Sequence, residues 1–216
     1  VPDDLEATTV DVAAIESGSE WARVALAEDE LSELAVPGLR FEESRLQRVD
    51  LSASRLARLS LSDVELDGCN LANADVRGGT LWRGVVERAR LTGLFWNEGA
   101  LRDVVVRDCR IDLASFAKTR FEQVVFERCL LMQTELQEAS LRLVRFVDCD
   151  LTEVDLTQAT FDRCEMRGCT LDGVRAPERL RGVSMPVDRH PRPGRNPRPR
   201  AWDRGPRRGL APRGAR

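Results

Sequence analysis

The chain has 216 residues, 42% of them apolar, enough for one sizeable domain, and no apolar run nears the ~20 residues that a membrane-spanning helix needs. Its net charge of −3 hides three blocks: −8 over residues 1–40, −4 over 41–175 and +9 over 176–216. Arginine outnumbers lysine 32 to one, Lys118 being the single lysine, and this reads as GC-rich bacterial coding of the kind common in actinobacteria rather than an arginine-specific activity.

Residues 1–20 form an acidic leader, expected to be disordered, because charge blocks at chain ends are usually solvated. The opening Val1-Pro2-Asp3-Asp4 has neither the basic nor the apolar part of a secretion leader, so the expected location is cytoplasmic. Residues 21–40 admit two readings. Trp21, Leu26, Leu31 and Val36 keep a five-residue step, which predicts irregular first coils. Val24, Ala27, Leu31 and Leu34 fit a helix over Glu20–Ala35, which predicts a helical cap. Asp29 would be a poor core residue in the first reading. Either arrangement would cover an open strand edge.

From Phe41 to Leu171 every fifth residue is apolar, through 27 consecutive positions. Phe116, Phe121, Phe126, Phe146 and Phe161 belong to this series. A helix repeats at 3.6 and a flat strand at 2, so neither explains it. The residues two places earlier are small or β-branched, among them Ser44, Val49, Ala74, Cys109 and Cys129. Residues two apart in extended chain share a side. Each five-residue unit therefore sends one small and one large side chain inward and turns a corner with the rest. Charged residues such as Arg110, Asp112, Glu122 and Arg128 fall outward.

A longer period is written on top of this one. Cys69, Cys109, Cys129, Cys149 and Cys169 differ by multiples of 20, and Cys164 also occupies a small inward slot. The charges of Arg88, Asp108, Arg128 and Asp148 alternate at the same spacing, as do those of Arg102, Glu122, Arg142 and Asp162. Neighbouring layers favour opposite charges, so a coil of 20 residues is predicted.

Units such as Ala74-Asp75-Val76-Arg77-Gly78, Ala114-Ser115-Phe116-Ala117-Lys118 and Ala159-Thr160-Phe161-Asp162-Arg163 resemble the pentapeptide-repeat family, whose consensus is A-(D/N)-L-x-x. The resemblance covers residues 41–175. It implies an all-β fold, a right-handed quadrilateral parallel β-helix of about seven coils, roughly 32 Å long at ~4.8 Å per layer.

After Val174 the pattern ends. Residues 176–216 hold eight of the ten prolines, cannot build a core, and are expected to be a disordered basic tail, with Leu180 to Met185 as a short stretch able to pack on the last coil.

Six cysteines raise the question of zinc or disulfides. Only Cys164 and Cys169 lie within ten residues of one another, and the sole histidine, His190, is in the tail. Reduced thiols filling core slots, Cys109, Cys129, Cys149 and Cys169 among them, are the better reading; no metal, cofactor or disulfide is expected. No phosphate-binding loop or nucleophile motif is present, and a filled tube offers no cleft to shift a pKa, so no enzyme activity is expected.

Val85, Val105 and Val125 should stack outward on one face, with Val147 near them, and Trp82 and Phe95 also fall in outward slots, as do Leu113, Leu130, Met132 and Leu143. The valine file with Val147, Trp82 and Phe95 is the candidate interface, for an unknown protein partner or a second copy. Trp96, beside Phe95 and after Gly93-Leu94, suggests a local bulge or widened coil.

The expected function is therefore non-enzymatic protein binding or scaffolding. The family resemblance implies an alternative, mimicry of DNA toward type II topoisomerase (gyrase), which protects that enzyme from quinolones and needs an extended negative surface. The alternating charges of the repeats oppose it. The arginine-rich tail suggests a third possibility, association with nucleic acid or anionic membranes.

Overall fold

Five residues per side and four sides per coil make the chain return above itself every 20 residues, and the pairing obeys this throughout. The structure, a computed structural model, describes Val1, Leu5 and residues 15–186. The expected disorder of the leader over 2–4 and 6–14, and of the tail over 187–216, concerns residues outside those described. Among the described residues thirteen strands form one parallel sheet, and every strand pairs with the residues 20 places away, from Glu20↔Arg40 to Arg142↔Asp162. Isolated bridges carry the same register down the other two sides, from Glu30↔Asp50 to Asp155↔Arg175. The molecule is a quadrilateral parallel β-solenoid.

We number the faces by their central residue in one coil: the first at Phe41, the second at Leu46, the third at Leu51 and the fourth at Leu56. The first two faces carry the strands, which fuse across their shared corner into Thr80–Glu87, Ala100–Arg107 and Arg120–Glu127 in the middle coils. The third and fourth carry only single bridges. Their corners are instead closed by a hydrogen bond from the fourth residue to the first, as Leu59 N–H to Leu56 O at 2.9 Å and Thr119 N–H to Phe116 O at 3.1 Å.

All four corners share one backbone device. At every fifth position from Gly18 to Gly173 the residue has positive φ, between 46° and 80°, and most of these residues are not glycine. The left-handed conformation costs an L-residue roughly 1–2 kcal/mol, and most with a branched Cβ. None of these corner positions holds Val, Ile or Thr.

The lumen is filled by the large and small side chains in turn. Phe126 and Phe146 lie 5.0 Å apart and stack at an interplanar angle of 6°, following the rise of one coil. Phe116, Phe121, Phe126 and Phe146 are buried, whereas Phe161 in the last coil is only half-buried. Hydroxyls and thiols in the small slots are satisfied by the coil before them: Ser54 Oγ donates to Leu31 O, Thr134 Oγ1 to Ile111 O at 3.1 Å, and Cys69 Sγ to Leu46 O at 3.3 Å. A buried hydroxyl left without such an acceptor would cost about 1–3 kcal/mol.

Two expectations need correction. Residues 21–40 are neither a helical cap nor irregular: Glu20–Ala22 and Ala25–Ala27 are strands in the common register, adding one coil before Phe41. Asp29 sits in its small slot all the same, with Oδ2 buried and unpartnered. Trp96 causes no bulge, since Asp75↔Phe95↔Ser115 continue the register across it. The indole lies in the lumen and its Nε1–H donates to Gly79 O at 2.9 Å. Gly99 supplies the space, because a Cβ there would stand 2.4 Å from Trp96 Cδ1. At the start of the tail the stretch from Leu180 packs on the last coil, as expected: Pro177–Leu180 forms a 3-10 turn, Ser184 pairs with Glu165 above the second face, and Leu180 and Val183 pack on the core.

Candidate interaction surface

The expected interface residues fall on three different parts of the tube. Val85, Val105 and Val125 do stack in register at the middle of the second face, but each is half-buried. Beside them runs a ladder in which Arg107 bridges Glu87 and Glu127, each at 3.1 Å. Val147 continues the column of this ladder, not that of the valines. Trp82, 47% exposed, lies on the first face between Ser62 and Arg102. Phe95, 49% exposed, opens the fourth face, at the opposite corner. The structure does not bring these residues into one patch.

It brings others to Phe95. Leu113 occupies the corner between the third and fourth faces one coil further on, with φ of 59° and 57% exposure. Its N–H donates to the carbonyl of Met132, which is 39% exposed. Phe95, Leu113 and Met132 thus form a diagonal across three successive coils, with Leu130 half-buried on the third face beside Met132. An exposed leucine in a left-handed corner gains nothing from burial and bears the backbone cost, where Gly93 and Gln133 fill the same corner in the adjacent coils. That combination was the readable signal. The sequence placed Leu113 and Met132 outward; it did not reveal that the corner unites them with Phe95.

The polar groups around this diagonal are internally satisfied. Asp75 is held by Arg77 at 2.7 Å, Asp112 by Arg110 at 2.7 Å, Ser115 donates to Glu135 at 2.8 Å, and Gln133 to Glu153 at 2.7 Å. The Arg77 hydrogen bond outweighs burial and lowers the Asp75 pKa. Asp50, Asn70, Asp75, Asp150 and Asp155 each accept the backbone N–H two residues on, which locks the outward strip of the third and fourth faces.

The outward positions of the third face carry seven carboxylates, on Glu30, Glu33, Asp50, Asp112, Asp150, Glu153 and Asp172, against Arg90 and Arg110. Its central file nonetheless reads Glu30, Asp50, Asn70, Arg90, Arg110, Leu130, Asp150, Thr170, so the negative stripe is broken in the middle. The alternating files are realised in part: Arg128 chelates Asp108 at 2.8 Å and Arg142 pairs with Glu122, but Arg88 turns to Asp67 at 2.5 Å.

The six thiols are free; five are buried and Cys169, at the C-terminal edge, is half-buried. Burial raises the pKa of Cys69 to about 11, and thiol neighbours together with burial raise that of Cys149 to about 12, so both stay protonated. Among the described residues no three His, Cys, Asp or Glu side chains converge on a metal position. The void beside Trp96, lined by Leu91, Leu101, Val106 and Phe116, measures ≈ 30 Å³ and is wholly apolar, so it offers a water no hydrogen-bond partner.

Two family models match the repeats: that of a pentapeptide repeat region over residues 100–175 and that of pentapeptide repeats, eight copies, over residues 44–83. The chain belongs to the pentapeptide-repeat family. No curated protein matches it. Among solved structures, full-length QnrB1, a plasmid-mediated fluoroquinolone resistance protein, is 16% identical with a TM-score of 0.38, covering 85% of this chain and 90% of that one. HetL, a pentapeptide-repeat protein involved in heterocyst differentiation regulation from the cyanobacterium Nostoc sp. strain PCC 7120, is 16% identical with a TM-score of 0.27, over 76% and 88%. Rfr23, from the cyanobacterium Cyanothece 51142, is 12% identical with a TM-score of 0.21, over 76% and 91%. No helix among the described residues of this pentapeptide-repeat chain is long and apolar enough to cross a membrane.

Proposed function

We propose that this pentapeptide-repeat solenoid is a non-enzymatic protein-binding scaffold whose contact is centred on the corner of Phe95, Leu113 and Met132. The exposed leucine at this corner carries the reading, since an apolar side chain 57% exposed there gains from burial by a partner. Interfaces concentrate their affinity in a few apolar anchors ringed by groups that exclude water, and the satisfied carboxylates around this diagonal fit such a rim. The half-buried valines of the second face are the second candidate, for self-association. To test the corner, a photo-crosslinking residue is placed at position 113 and, as control, at position 163, the exposed corner residue Arg163, in cells that naturally produce the chain. An adduct at 113 and none at 163 is expected. Equal yields at both would end the proposal.

Topoisomerase binding by DNA mimicry is favoured by the carboxylate excess of the third face and opposed by Arg90 and Arg110 at its centre. A supercoiling assay decides it: loss of gyrase activity at micromolar protein would establish this reading over the first.

A further inference from the structure

The third face carries a feature that core filling leaves unused. Cys109, Cys129, Cys149 and Cys169 follow one another in four successive coils, and all adopt the same pose. Their Sγ–H groups lie 3.5 Å from the carbonyls of Val86, Val106, Phe126 and Phe146, 23 residues back in each case. Identical surroundings mean that the sulfurs are related by the rise of one coil, ~4.8 Å between neighbouring parallel strands.

That spacing selects among the chemistries of paired thiols. A disulfide needs Cβ atoms ~3.5–4.5 Å apart and would require the coils to be pulled together. Tetrahedral zinc needs four ligands, and no third side chain converges here. Two metal–sulfur bonds of ~2.3 Å in a straight line, however, span about the rise of one coil. We propose that Cys149 and Cys169 form a two-coordinate site for a thiophilic divalent ion that favours linear geometry, of which mercury(II) is the type. The two S–H bonds break, two metal–sulfur bonds form, two protons pass to solvent, and no electrons are exchanged. The product is neutral, which an apolar lumen tolerates, whereas a monovalent ion would leave a buried negative charge.

Position favours this pair over the inner ones. Cys169 is half-buried, and on the third face no described residue pairs beyond Thr170, so an ion reaches the sulfur without opening the tube. Cys164 is the internal control: it lies near the same edge but alone in its file, above Val144 and below Ser184.

The test is titration of the full chain with mercury(II) under non-denaturing conditions, followed by desalting. One tightly held ion, release of two protons and an X-ray absorption spectrum with two sulfur neighbours are expected. Cys169→Ser should abolish retention, and it should fold, since Ser44 and Ser54 already fill small inward slots on the second and fourth faces. Cys164→Ser should retain the ion. The proposal is overturned if Cys169→Ser binds as the parent does, if Cys164→Ser loses the ion, or if uptake occurs only in denaturant.

Discussion

The strand side and the turn side of the tube solve the same problem in different currencies of hydrogen bonding. On the first and second faces the open corners leave the chain extended, and side chains bond upward to the next coil: Arg45 to Glu65 at 2.7 Å, Arg83 to Asp63 at 2.5 Å, and the Glu87–Arg107–Glu127 ladder. On the third and fourth faces, beside cross-coil bonds such as Ser115 to Glu135, the closed corners also turn outward side chains back on their own coil, as Asp150 to Thr152 N–H at 3.0 Å and Asp155 to Thr157 N–H at 2.9 Å. The lesson is that the acid or amide of the repeat consensus belongs to the closed corner. Where the corner is open, that slot holds Arg, Glu, Val, Ala, Ser or Thr.

If the two sides differ only in their outward bonding, the lumen should not distinguish them. Phe126 on the second face and Phe116 on the fourth are both buried, so alanine at either should cost about 3–5 kcal/mol in denaturant unfolding. A difference of several kcal/mol between them would break the comparison at its base. On the turn side, Asp155 is nearly inaccessible; burial would raise its pKa, but hydrogen bonds from Thr157, Gln137 and Arg175 prevail and hold it at about 2. A carboxylate depressed on folding contributes stability above its unfolded value and loses it as pH falls through the folded one. Asp155→Asn should therefore cost on the order of 2 kcal/mol at pH 7, with the gap closing between pH 4 and 2. A gap independent of pH would assign the effect to shape instead of charge. On the strand side, Arg107 is partly exposed, and Arg107→Gln should cost ~1 kcal/mol or less, shrinking in high salt. A larger, salt-insensitive loss would mean that the ladder does more than decorate the sheet.

Most of the fold was legible because the lumen reads the sequence at a fixed step: every fifth apolar residue and the cysteine spacing gave the side and the coil. The first coil was obscured by Asp29, a charge in a core slot that pattern alone cannot reconcile with a strand. Trp96 looked like a disruption because its compensation, Gly99, lies three residues on and acts through space. The strand–turn asymmetry was written in Asp50, Asn70, Asp75, Asp150 and Asp155, but a five-residue period treats all faces alike and hides which corner is closed. The candidate surface was the least readable part. Trp82 and Phe95 are both outward in the pattern, and only the path of the coil separates them and sets Leu113 and Met132 beside Phe95.

The constant return of the chain after 20 residues also limits how such a protein changes length. Removing one pentapeptide between Arg107 and Glu127 would rotate everything downstream by a quarter turn, moving the downstream thiols off the third face and separating Arg107 from Glu127, though the lumen would still fill. Removing a whole coil would preserve every file and shorten the rod by ~4.8 Å. The molecule is thus a ruler graduated in single coils, and loss of twenty residues should be better tolerated than loss of five.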